Sequence, residues 1–173
     1  MSTFSELYRV GHMETLRFFF TGLTDLVPTE RGLTKKETLY VASILAHYAQ
    51  TSRHENEGMP PMADLVEFFD CFVLGQMVAP RDAEMLEVAG AQSLFLAGFF
   101  GDQMRKRHNL RYYDFVGSSF YDRACHWTKD ISKKVLFGLM SSHFPAWTRH
   151  CRDLSRTIRE NRFLINPPRG LKP

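Results

Sequence analysis

Residues 93–115 read SLFLAGFFGDQMRKRHNLRYYDF. The apolar run LFLAGFFG, residues 94–101, is far short of the roughly 18 apolar residues that a membrane-spanning helix needs. On a helical wheel its surroundings divide by size. Met85, Val88, Phe95, Leu96, Phe99 and Phe100 share one broad side, and Gly90, Ala91, Ala97, Gly98 and Gly101 gather opposite, with Leu94 the large residue among them. A helix built this way is expected to be buried on both sides. The pattern predicts a central helix from just after Pro80 to about Arg107, with Asp82 and Glu84 favoured by its N-terminal dipole. Each glycine inside a helix costs about 1 kcal/mol relative to alanine, so the small side answers some need. Either a neighbouring helix approaches closely there, or an apolar ligand sits in a pocket beside Leu94, Gly98, Phe99 and Phe100.

The segments on either side also follow helical periods, and strand alternation is hard to find. Residues 13–26 form an amphipathic stretch stopped by Pro28. Thr34 and Glu37 make a capping-box signature ahead of a helix over 35–53. HENEGMPP reads as a loop, followed by a shorter helix over 62–74. Further helices are expected over 112–127, 131–140 and 145–161, the last opening at Pro145. Of Tyr112 and Tyr113, one ring is expected in the core and the other at the surface. The expected fold is an all-α, single-domain bundle of six to seven helices over 1–161, with an irregular tail over 162–173.

Bulk properties fit that fold. The chain has 173 residues, 44% hydrophobic and 24% charged, long enough for one domain with a real core. Fifteen phenylalanines predict an aromatic-rich core. The first residues lack a basic stretch followed by a long apolar run. The three cysteines, Cys71, Cys125 and Cys151, are widely spaced and do not suggest a disulfide scaffold. A cytoplasmic setting is therefore expected, with each thiol a small buried hydrophobe.

Searching for chemistry yields no local motif. His47/His54 and His143/His150 are each seven residues apart, about 10 Å along a helix, too far to share one ion through bonds of about 2 Å. The patterns H-x-x-x-H, C-x-x-C and E-x-x-H are missing, so no metal and no cofactor is expected; a site using Cys125, His126 and His150 would have to be assembled from separate helices. VGSSF, residues 116–120, is a poor relative of a nucleophile elbow and reads as a small-residue helix contact. Cys71 lies among apolar residues, which disfavour a thiolate. No catalytic residue is assigned.

The charge is lopsided. Residues 1–90 carry 13 acidic and 7 basic side chains, and residues 91–173 carry 6 acidic and 15 basic, giving −6 and +9. On the last helix Phe144, Trp147, Cys151, Leu154 and Ile158 fall within about an 80° arc. Arg149, Arg152, Arg156 and Arg159 make a second stripe beside it. With Arg105, Lys106, Arg107, Tyr112 and Tyr113 they form a candidate partner-binding edge, since guanidinium forks suit carboxylate and phosphate. The stripe is also what results if the arginines pair within their own domain. Three functions follow: an interaction or regulatory module whose basic half binds an acidic protein surface or a second copy of itself, a binder of an apolar small molecule, and a nucleic-acid-binding protein. The last lacks any recognised binding motif.

The run LFLAGFF, the basic cluster after it, the Tyr-Tyr pair and the helix start VGSSFYDRA together resemble a group of uncharacterised bacterial all-helical proteins. The resemblance covers about residues 91–124. It implies a helical fold and a bacterial cytosolic setting, and no activity.

Overall fold

A computed structural model describes residues 11–27, 32–51, 82–106 and 109–160. The helix expected over 62–74, Arg107, His108 and the tail fall outside these. The described residues fold as an all-α bundle without strands. Helix α1 is His12–Leu26, α2 Lys35–Thr51 and α3 Ala83–Leu94. A π-helical turn, Phe95–Phe99, continues α3 and leads into the short α4, Gly101–Met104. Helix α5 is Leu110–Trp127 and α6 Ile131–Glu160.

Local chemistry sets the helix starts. The Thr34 hydroxyl accepts from the Glu37 N–H at 3.2 Å, and the Glu37 carboxylate accepts from the Thr34 N–H at 2.8 Å, so the expected capping box is formed. Asp82 is the N-cap of α3, accepting from the Glu84 N–H at 2.9 Å. Asn109 caps α5 through the Arg111 N–H, and Asp130 caps α6 through the Ser132 N–H at 2.8 Å. Ahead of α2, Gly32 turns the chain at φ 105°, a left-handed conformation that glycine adopts without strain.

Helix α6 lies against α1, α2, α5 and the π turn. Its Phe137, Met140, Phe144, Trp147 and Cys151 are buried, together with Phe19, Leu45, Leu86, Leu94, Phe120 and Tyr121. The stretch expected as one uniform central helix is not uniform. Phe95 to Phe99 are all buried, but Met85 and Val88 are 46% and 52% exposed. The i→i+5 winding, with the Phe100 N–H donating to the Phe95 carbonyl, shifts the phase of the wheel, so the two ends of the predicted large side face different ways.

The larger correction concerns the last two expected helices, which are one helix of 30 residues with Pro145 inside it. Proline has no N–H to offer the Ser141 carbonyl one turn back, and an interior proline costs about 3 kcal/mol. Here that carbonyl accepts from the Ser118 hydroxyl of α5 at 2.8 Å, and the Ser141 hydroxyl donates back to the Ser118 carbonyl at 3.0 Å. A neighbouring helix therefore replaces the missing ladder bond. Ser118→Ala should cost about 1 kcal/mol, and distinctly less in a Pro145→Ala background, where residue 145 donates to Ser141 itself. A double-mutant cycle by urea unfolding tests this, and equal costs in both backgrounds would refute it.

Candidate functional site

The C-terminal half of α6 crosses the π turn and α4, and this crossing assembles the basic edge. At the point where the helical ladder is interrupted, the Ala97 carbonyl accepts from Arg152 Nη2 at 3.1 Å. The guanidinium lies on Gly101, where a Cβ would stand 2.6 Å from Arg152 Nε. That Nε is buried with no hydrogen-bond partner among the described residues. Burial, and next the nearby Arg105 charge, lower the pKa of Arg152.

One turn along, Asp102 holds two arginines. Arg156 binds it with both arms of its fork, Nε to Oδ2 and Nη2 to Oδ1, each at 2.7 Å. Arg159 Nη2 adds a bond to Oδ2 at 2.9 Å. The bonded Arg156 guanidinium is the main reason that the Asp102 carboxyl is pushed down to about 2.

The sequence-predicted edge residues are thus divided by the fold. Arg152, Arg156 and Arg159 are bonded within their own chain, partly to a carboxylate of the basic half rather than of the acidic half. Arg149, Arg105 and Lys106 are exposed, the last two just beyond α4. Tyr113 is buried and Tyr112 is 37% exposed, their rings edge to face at 5.7 Å. Arg107 lies outside the described residues.

The residues read as a possible apolar pocket are occupied by packing. Leu94 and Phe99 are core residues, and Phe100 sits edge-on to both Phe95 and Phe99. At Gly98 a Cβ would lie 2.7 Å from the Cβ of Cys151, with the Thr148 backbone 3.4 Å away. Helix α6 occupies that side. An open groove of about 580 Å³ lies elsewhere, between α5 and α6, lined by Asp114, Phe115, Ser118, Ser119, Asp122 and Pro145 among others. Its lining mixes these polar side chains with the apolar surface of Phe115 and Pro145, and burial raises the Asp114 carboxyl although the Thr148 hydroxyl donates to it at 2.9 Å.

Sequence reasoning missed a second polar cluster. Glu37 was visible as a capping residue, but its carboxylate does more than cap. It is fully buried, and Oε1 also accepts from His143 Nδ1 at 2.7 Å and from Trp147 Nε1 at 3.1 Å. One carboxylate therefore closes the start of α2 and fastens it to the middle of α6. Burial raises its pKa, but the bonds from His143, Thr34 and Trp147 together outweigh burial and hold the group below its ordinary value. Tyr40 and Tyr121 form a neighbouring chain: the Tyr121 hydroxyl donates to Tyr40, which donates to Glu87, itself paired with Lys133 at 2.9 Å.

Among the described residues no three His, Cys, Asp or Glu side chains are grouped to hold a metal. Cys151 is buried, its thiol pushed up to about 12 by burial, and Cys125 donates to the Lys134 carbonyl. Cys71 and His54 lie outside the described residues. No described helix is long and apolar enough to cross a membrane. No family model, no curated protein and no solved structure matches this chain. The resemblance across residues 91–124 accordingly adds nothing beyond the helical fold.

Two tests follow from this geometry. If α6 occupies the space at Gly98, Gly98→Ala should destabilise by about 1–3 kcal/mol through overpacking. Beside an open pocket the same change would gain about 1 kcal/mol of helix propensity. Urea unfolding decides between the two signs. For Glu37, a folded pKa below the ordinary 4.5 means stability that is fully present above that value and lost as pH falls through the folded pKa. Glu37→Gln should flatten this acid slope and cost about 1–3 kcal/mol near neutrality, where a buried charge-assisted network is broken. Unfolding curves from about pH 3 to pH 7 check both effects.

Proposed function

We propose that this protein is an interaction or regulatory module rather than a catalyst, working in the cytoplasm, and that its basic edge receives an acidic protein surface. The observation that carries this reading is the excess of cations over carboxylates along the edge that α4 shares with the last turns of α6. Six cations, Arg105, Lys106, Arg149, Arg152, Arg156 and Arg159, share it with four carboxylates, Asp102, Asp114, Asp153 and Glu160. Bonds to Asp102 and Ala97 hold three of the guanidiniums in place. An edge already ordered loses less side-chain entropy on binding, and Tyr112 supplies a partly exposed ring of the kind enriched in interfaces.

An acidic polypeptide suits this edge better than nucleic acid, because at least three of the six cations are already bonded within the chain and the chain carries no recognised nucleic-acid motif. A second copy presenting its acidic half is one form that such a partner can take.

Arg105 and Lys106 are the positions to change, since Arg156 and Arg159 also hold α4 to α6. A poly-glutamate peptide should bind the wild type with an affinity that falls as salt rises, and Arg105→Glu with Lys106→Glu should weaken it about tenfold or more. Unchanged affinity would remove the proposal. Tighter binding to duplex DNA or to RNA at low salt would transfer the edge to nucleic acid. A concentration-dependent dimer in sedimentation, broken by the same double change, would make the partner a second copy.

A further inference from the structure

We propose that His143 is a phosphoryl-accepting side chain, made nucleophilic by the buried Glu37 carboxylate. The argument starts from the protons. Glu37 is ionised, and an ionised carboxylate only accepts. His143 Nδ1, at 2.7 Å from Oε1, is therefore the donor. In the neutral ring this leaves the lone pair on Nε2. The carboxylate thus fixes both the tautomer and the orientation of the imidazole, as the orienting carboxylate does in nucleophile–base arrangements.

The His143 ring is partly exposed. Glu37 has no exposed side-chain surface, whereas the His143 side chain is 28% exposed. Nε2 lies beside the turn at Gly32, 3.9 Å from where a Cβ on that exposed glycine would stand. The turn leads directly into α2, whose first helical residue, Lys35, is exposed. An electrophile arriving at Nε2 therefore meets the positive end of a 17-residue helix, which favours anionic groups. This selects a phosphoryl group over a neutral acyl group.

The step balances without an oxidant or a metal. The Nε2 lone pair attacks phosphorus in a small phosphoryl donor such as phosphoramidate. The P–N bond breaks, and ammonia leaves with its electron pair. The Nδ1 proton stays where it is, so the ring becomes a phosphoimidazolium. Its positive charge forms against the Glu37 carboxylate, which is already in place and already ordered.

His126 is the internal control. Its side chain is 72% exposed, and its Nδ1 lies 2.8 Å from the Asp122 backbone carbonyl rather than on a buried carboxylate. The full chain, treated with phosphoramidate and followed by peptide mass spectrometry, should gain an acid-labile phosphoryl group at His143 about tenfold faster than at His126. Exposure alone predicts the reverse order. Glu37→Gln should slow His143 and leave His126 unchanged. Equal or faster labelling of His126 in the wild type overturns the proposal, and that comparison needs no variant to fold. Where Glu37→Gln folds by circular dichroism, undiminished labelling of His143 overturns it as well.

Discussion

A helix of 30 residues with a proline at its midpoint is the constraint on which the rest of this structure depends. Almost every notable contact uses α6. His143 and Trp147 reach Glu37 from it, Phe144 packs beneath Gly117, Cys151 closes on Gly98, and the arginine stripe runs along its last turns. A change of helix direction at Pro145 would move the arginines relative to Asp102 while leaving His143 where it is. The Ser118 hydroxyl on the Ser141 carbonyl is thus a bond that ties α6 to α5 at the proline, between the two sites. The proline also frees that carbonyl, so the same residue creates the defect and the docking point for α5.

The buried Glu37 carboxylate is the second organising feature, and its partners explain why burial is tolerated. An ionised carboxylate deprived of water is costly unless its lone pairs are taken up. Here three N–H donors from three different sources converge on it: a backbone amide of its own N-cap, an imidazole and an indole. Two of them come from successive turns of α6, one turn apart, so the carboxylate reads the rotation of that helix as well as its position. Apolar contacts alone would tolerate a small rotation. A network with directional bonds does not.

What was legible in the sequence was local. The amphipathic stretch of α1, the Thr34–Glu37 box and the arginine stripe all depend on spacings of three and four residues, and they lie where the wheel places them. What was not legible depends on distant partners. Pro145 looks like a helix start because the hydroxyl that satisfies the Ser141 carbonyl belongs to Ser118, 23 positions before Ser141. His143 and Trp147 stand 106 and 110 positions from Glu37, so only its capping role could be read. The π turn defeated the wheel for another reason: one extra residue in a turn displaces every later position, so Phe99 and Phe100 no longer keep the phase of Met85 and Val88. The charge of the arginine stripe could be read, but not the carboxylate that binds it, because Asp102 belongs to the same basic half and made no contrast with its surroundings.

The division within the arginine stripe bears on how a basic edge is to be understood. Arginines engaged inside a chain are usually set aside as structural, and exposed ones are taken as functional. At Asp102 the two roles coincide. Asp102 fixes Arg156 and Arg159, with Asp153 a second, looser partner 3.4 Å from Arg156, and the positive excess of the edge comes from Arg105, Lys106 and Arg152 beside this cluster. Fixing Arg156 and Arg159 removes much of the rotamer freedom that makes exposed salt bridges weak. The π turn contributes in the same way, since its interrupted ladder gives Arg152 a carbonyl to hold and sets it beside Arg105. The irregularity in the central helix is therefore what converts a row of mobile cations into an edge of defined shape.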